Sequence, residues 1–299
     1  MSISSEELGN RFDVGSDWQE LGSPVPAALV DARLQLHWAC QVVGAVGHTF
    51  GTPESDDSHT ALTWVAGSGM MVGRPVGRDG TLQPALAPAR MALQVLSAAD
   101  GSALDELALS GTTLDQAYAW MAQALERHTG GEITGELTRR DYDMPDHAVG
   151  REGGAKFRDD DGRATAEVAR WFANASRVLG LVVQARHEVP PLLLWPHHFD
   201  IGTLIPLLGP VGEEPSVGLG LSPGDQTYPE PYWYVTAWPV PQDPTLPPLA
   251  GKGRWHTEGW TGAVLLGTDC VLAGRGRSQA SLVSEFLESA IPAAITLLS

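Results

Sequence analysis

Two short patterns carry the residue types of acid–base or metal chemistry: His198–Phe–Asp200 and His256–Thr–Glu258. On a strand, residues two apart share a face, so each pattern would present an imidazole and a carboxylate together. Two such pairs meeting across a pocket would make a metal-ligating set of His198, Asp200, His256 and Glu258. That donor mix suits a divalent cation such as zinc, iron or manganese, which could activate water. Without a metal, one imidazole and one carboxylate can bind a ligand or pass a proton, because histidine titrates near neutral pH. The plainer alternative is a histidine in a turn bonded to backbone, with Asp200 fixing His197 or His198.

Aromatic residues gather in the same stretch. Residues 195–260 hold five of the ten Trp and three of the nine His. In Pro231–Tyr–Trp–Tyr–Val–Thr–Ala–Trp238, alternation puts Tyr232, Tyr234, Thr236 and Trp238 on one face. Trp233, Val235 and Ala237 point the other way. One face is expected to pack on a helix and the other to line a pocket for a flat or apolar ligand. The candidate ligand-binding set is therefore Trp195, His197, His198, Asp200, Tyr232, Tyr234, His256 and Glu258. Core packing is the competing reading for any single Trp. Gly220–Leu–Ser–Pro–Gly224 matches a nucleophile elbow in letters only, since Asp225–Gln–Thr–Tyr–Pro229 reads as loop where a helix is needed. Gly218 and Gly220 lack the βαβ context of a dinucleotide site. His256–Thr–Glu258 lacks the Pro-Cys-x-x-Cys partner of zinc deaminases.

Positioning these residues requires a framework. Residues 1–23 read as a polar, acidic arm. Pro24 and Pro26 open a helix to about Gly44 that is apolar nearly all round, as buried helices are. Thr60–Ala66, Met70–Val72, Met91–Ser97 and Leu104–Leu109 read as strands. Thr113–Leu–Asp–Gln116 fits a capping box, and the helix after it ends near Gly130–Gly131. Residues 139–163 are charged and Gly-rich and read as a linker loop. Ala164–Gln184 has a clear helical stripe through Val168, Trp171, Phe172, Ala175, Val178, Leu179 and Val182. Leu192–Leu207, Val217–Leu221, Tyr232–Trp238 and Gly262–Leu266 are strand candidates. Ser278–Leu298 is a helix with Val283, Phe286, Leu287, Ala290 and Ile291 inward and a bend expected at Pro292.

The expected fold is thus α+β, a mixed or antiparallel sheet with packed helices. The halves 24–138 and 164–299 each read helix, strands, helix. Ala61–Leu–Thr–Trp64 and Leu192–Leu–Leu–Trp195 hold equivalent places, which suggests a fused duplication, the second repeat carrying the site. One continuous domain is the alternative.

Several of these segments also occur in a familiar order. They are Gln41–Val–Val–Gly44, Glu167–Phe172, Trp195–Pro–His–His–Phe–Asp–Ile201, and Glu230–Pro–Tyr–Trp–Tyr234 followed by Trp238–Pro239. This order resembles an uncharacterised bacterial domain-of-unknown-function family. Its members carry a Gln-Ile-Val-Gly stretch, an Ala/Arg/Trp-rich helix, a Phe-Trp-Gly-Ser-Phe-Asp-Leu segment and a Glu-Pro-Ala-Phe-Tyr strand ending in Tyr-Pro. His147–Ala148 stands where that family has a His-Ala pair. The resemblance runs over about residues 37–240 and implies one family fold there. His197 and His198 replace the family's Gly and Ser, and the resemblance implies no mechanism.

Composition excludes more than it selects. The 299 residues carry 36 Asp+Glu against 19 Lys+Arg, a formal charge of −17. That opposes nucleic-acid binding and adhesion to an anionic membrane. Two Cys, at 40 and 270, cannot form a disulfide scaffold or a Cys-rich metal site. Only 2 of the basic residues are Lys, a usage that fits a GC-rich bacterial coding bias. The N-terminus lacks the charge and apolar pattern of a secretory signal, no apolar run has the length of a bilayer span, and a cytoplasmic location is expected. Three functions fit: binding a small organic ligand in a Trp/His-lined pocket, metal-dependent hydrolysis or oxygenation, or a non-catalytic interaction role through a homo-oligomer.

Overall fold

A computed structural model describes residues 17–159, 161–208, 214–240, 242 and 244–298. It is α+β with antiparallel sheets. The described residues divide into two compact units. The first comprises Ala28–Ala169 with Leu193–Phe199, and the second the described residues of 17–27, 170–192 and 200–298. The sequence-derived boundaries at 138 and 163 both fall within the first unit's longer segment.

In the first unit, a 3₁₀ turn at Pro26–Leu29 leads into helix α1 (Val30–Phe50). Every residue from Ala39 to Gly47 is buried, as expected of a helix that is apolar on all sides. Gly44 and Gly47, one turn apart, let a proline ring and a backbone carbonyl come close. A Cβ at Gly44 would sit 2.9 Å from Pro196 Cγ, and one at Gly47 would run into the His59 carbonyl oxygen. Strands β1 (Thr63–Val65), β2 (Met70–Val72), β3 (Leu82–Ala87), β4 (Ala92–Ser97) and β5 (Ala103–Ala108) pair in chain order, all antiparallel. Thr113 and Gln116 then close the expected capping box at the start of α2 (Leu114–His128). Both helices pack on this sheet.

Sequence reading missed β3 because Pro84 lies inside it. The Pro84 carbonyl accepts from the Gly73 N–H. In a strand, the N–H and C=O of one residue point to the same neighbour. The donor that Pro84 lacks would therefore face the chain just past the end of β2, where the ladder stops.

Helix α3 (Arg163–Ala185) begins in the first unit and belongs to the second from Arg170 onward. All seven residues of its expected stripe are buried. The expected strand Leu192–Leu207 is two strands, β6 (Leu193–Trp195) and β7 (Asp200–Pro206), parted by a turn. In the first unit, Leu194 exchanges both backbone hydrogen bonds with Leu62. The two segments that read as equivalent in sequence are therefore hydrogen-bonded to each other.

The second unit continues with β8 (Ser216–Ser222), β9 (Tyr232–Trp238), β10 (Arg254–His256) and β11 (Gly262–Leu266). Its strands run β7-β8-β9-β11-β10, all antiparallel. Among the described residues this run of five antiparallel strands parallels β1–β5 of the first unit, which also holds β6, except that its last two strands are exchanged. β10 escaped the sequence reading because three residues between glycines show no alternation. A short helix α4 (Gly267–Leu272) and the long α5 (Arg277–Leu297) complete the unit. Val283, Phe286, Leu287, Ala290 and Ile291 are buried, and α5 packs on β8, β9 and β11. Pro292 lies inside this helix. By length and composition α5 also meets the requirement for a bilayer span, which a buried core helix can meet equally. Within the expected polar arm, Trp18 and Leu21 are buried and tied to the Gln279 side chain at 3.0 Å each.

The close approach at Gly47 gives a direct test. Gly47→Ala sets a methyl against a carbonyl that cannot rotate away, and overpacking of this kind costs about 1–3 kcal/mol. A lowered denaturant midpoint with unchanged slope is expected. Wild-type stability would show that α1 and the 58–60 turn are not in contact.

Candidate functional site

Strand register builds the open face of the second unit. Gly220 of β8 stands opposite Gly202 of β7 on one side and Tyr234 of β9 on the other. These three positions therefore share a face. A Cβ at Gly220 would strike the Tyr234 ring and hydroxyl, and one at Gly202 would lie 2.7 Å from the hydroxyl. The tyrosine thus runs across β8 over a floor without side chains. Its phenol donates to Asp200 Oδ2 at 2.5 Å. Loss of solvent, reinforced by Asp200, raises its pKa well above the ordinary value and keeps it protonated.

Tyr232 is held the same way. Its hydroxyl donates to Asp225 Oδ2 at 2.6 Å, while Asp225 Oδ1 accepts from the N–H groups of Thr227 (2.7 Å) and Tyr228 (2.8 Å). Burial and Asp225 raise its pKa too. The Tyr228 ring lies 5.2 Å from that of Tyr232 and 5.5 Å from that of His256, whose ring is 4.4 Å from Trp260. His256 Nε2 faces the Glu258 carbonyl at 2.7 Å, and a carbonyl can only accept. Nε2 therefore carries the proton, and Nδ1 accepts from the Tyr228 hydroxyl at 3.0 Å. On the opposite face Trp233, Val235 and Ala237 are buried, as alternation requires. At one end of the open face Trp238 is 67% and Leu204 42% exposed.

Trp195, His197 and His198 belong to the first unit and have different company there. Pro196–Phe199 is a turn: the Phe199 N–H reaches the Trp195 carbonyl at 2.7 Å, and Phe199 has a left-handed φ of 55°. His37 Nε2 and Gln41 Nε2 both donate to the Pro196 carbonyl, at 2.8 and 2.6 Å, and the His37 ring stacks on Phe199. The His197 ring meets His198 at 4.3 Å, Tyr142 at 5.4 Å and Trp195 at 5.8 Å. Arg140 lies over Tyr142, binds Asp57 at 2.6 Å and comes within 3.4 Å of His48 Nδ1. His48 neighbours His59. Burial lowers His197 to about 4, helped by His198 and Arg140. Burial also lowers His37 to about 4, against the opposing pull of its Pro196 hydrogen bond. His48 is lowered by burial, then by Arg140 and His59.

These placements correct the reading of the two His-x-acid patterns. His198 sits in a turn and the strand begins only at Asp200, so alternation does not pair them. β10 ends at His256, and what His256 meets is the Glu258 backbone, not its carboxylate. Among the described residues no three His, Cys, Asp or Glu side chains are grouped to hold a metal ion. The set His198, Asp200, His256 and Glu258 is therefore not assembled, and both His256 nitrogens are occupied. Cys40 and Cys270 are buried in separate units, with the Cys270 thiol pushed up to about 12 by burial. Ser222 accepts from the Gly224 N–H and no helix follows it, as the loop reading of its motif expects.

Sequence reasoning missed Tyr142, Arg140, Asp57 and His48 in the first unit, and Tyr228, Asp225 and Trp260 in the second. Arg140 and Tyr142 lie in the stretch 139–163 that reads as a charged linker loop, and only folding brings them to His197. His147 binds Asp31 at 3.1 Å and lines a cleft of about 580 Å³ with Gln35, Lys156 and Asp159. No protein-family model, curated protein or solved structure matches the chain.

The histidines make stability depend on pH. An imidazole whose pKa is depressed on folding is protonated first in the unfolded chain. Its contribution is whole above about pH 6.5 and drains as the pH falls towards about 4. At that lower limit the deeply buried His37 accounts for up to about 3 kcal/mol, and the half-exposed His197 for less because solvent screens it. The melting temperature is expected to fall by roughly 5–10 °C from pH 7.5 to pH 5. His197→Asn should flatten that decline, and an unchanged slope would contradict the assignment.

Proposed function

We propose that this chain is a binding protein for a small planar organic molecule, seated on the open face of the second unit around Tyr234, Tyr232, Tyr228, His256 and Trp260. The observation that carries the reading is Tyr234 crossing the Gly202–Gly220 floor to Asp200. Two carboxylates and one imidazole take up the three phenols, so the rings are fixed before a ligand arrives. Tyr232 is itself buried, and the half-buried Tyr228, Tyr234, His256 and Trp260 rings around it offer stacking area with little ordering cost. The same bonds argue against acid–base catalysis here. Tyr232 and Tyr234 stay protonated near neutral pH, and both His256 nitrogens are engaged.

One observation favours a second reading, an interaction surface. Trp238 and Leu204 stand exposed at one end of this face, and aromatic anchors of that kind can join a second copy.

A set of planar organic fragments, tested by ligand-observed NMR on the full chain, separates the two. Binding is expected for wild type and a loss of at least about tenfold for Tyr234→Ala, with base-stacking by aromatic side chains as the scale. Gly220→Val keeps the tyrosine but evicts it from its floor, and should lose binding equally. Trp238→Ser should leave fragment binding intact. Fragments that bind all three variants like wild type would defeat the reading. Concentration-dependent self-association abolished by Trp238→Ser would favour the interaction role.

A further inference from the structure

The chemistry of this face also selects the charge of its ligand, an inference that rests on the binding role proposed above. Asp225 is the centre of the matter. Its two oxygens take only neutral donors among the described contacts: the Thr227 and Tyr228 amides and the Tyr232 hydroxyl. No guanidinium or ammonium pairs with it among the described residues. Around it stand rings at steep angles to one another: Tyr228 is tilted 57° to Tyr232 and 70° to His256, and Trp260 lies against His256. The one Arg or Lys on the described strands of this unit, Arg254 of β10, is directed to Asp269 at 3.8 Å. A second carboxylate, Asp200, lies on the same face under Tyr234.

Aromatic faces attract cations through their quadrupole, within about 6 Å of the ring centroid. An anionic ligand would meet two carboxylates and a chain of formal charge −17. A neutral ligand would gain stacking alone. We infer that the ligand of this face is an organic cation, a quaternary ammonium or an N-alkylated aromatic ring, held on the Tyr228, His256 and Trp260 rings, with the buried Tyr232 behind them and Asp225 as the counter-charge.

Three probes of similar shape and different charge test this on the full chain: N-methylpyridinium, toluene and benzoate. Ligand-observed NMR titration at low salt should show N-methylpyridinium bound at least tenfold more tightly than toluene, with benzoate weakest. Asp225→Asn should cut the affinity for the cation about tenfold and leave toluene unchanged. The asparagine oxygen can still accept the Thr227 and Tyr228 amides, and its NH₂ can donate to the Tyr232 hydroxyl, so the loop has a way to keep its shape. Raising the salt from 50 to 500 mM should weaken the cation and not toluene. Toluene or benzoate binding as well as the cation, or a cation indifferent to Asp225→Asn, overturns the charge assignment and leaves the binding role standing. Failure of all three probes overturns both.

Discussion

The candidate face depends on the absence of two Cβ atoms. At Gly202 and Gly220 the sheet is bare, and a tyrosine from β9 occupies the space that side chains would fill. Any larger residue there would lift Tyr234 away from the sheet and from Asp200. The same device appears in the first unit, where Gly44 and Gly47 of α1 admit Pro196 and the His59 carbonyl. In both places the glycines serve close approach, and no left-handed backbone is involved. The cost of a methyl at such points is a clash with groups that cannot easily yield.

The two units handle their polar groups differently. In the second, phenols donate to carboxylates and His256 bridges a hydroxyl and a carbonyl, so each of these groups has a hydrogen-bond partner. In the first, His37, His48, His59, His197 and His198 lie in one network with Arg140, and Asp57 is the carboxylate bound to that guanidinium. Burial and neighbouring cations lower His37, His48 and His197, and these imidazoles add repulsion as they charge. Stability and binding would accordingly answer to different parts of the molecule: acid acts on the first unit, ligand charge on the second.

Helices and most strands were legible in the sequence because burial imposes a period. The α3 stripe, the inward residues of α5, the capping box at Thr113 and the two faces of β9 all follow from spacing alone. β3 was not legible, because Pro84 breaks the pattern in letters while costing nothing at the end of the β2 ladder. The site was legible only in part. Alternation correctly put Tyr232 and Tyr234 on one face, but applied to His198–Phe–Asp200 it misled, since Phe199 turns left-handed just before the strand begins. Asp225 and Tyr228 sit in a loop whose spacing carries no period, so nothing marked them.

What the residues determine by themselves is therefore the set of elements, their buried faces and the overall negative charge. Those follow from local periodicity and composition. Which polar groups meet was decided by tertiary structure, because hydrogen bonds such as Tyr234 to Asp200 or Arg140 to Asp57 join positions 34 and 83 residues apart. Register across β7, β8 and β9, and the lack of side chains at Gly202 and Gly220, turn a run of aromatic letters into a surface with a floor, fixed rings and a charge.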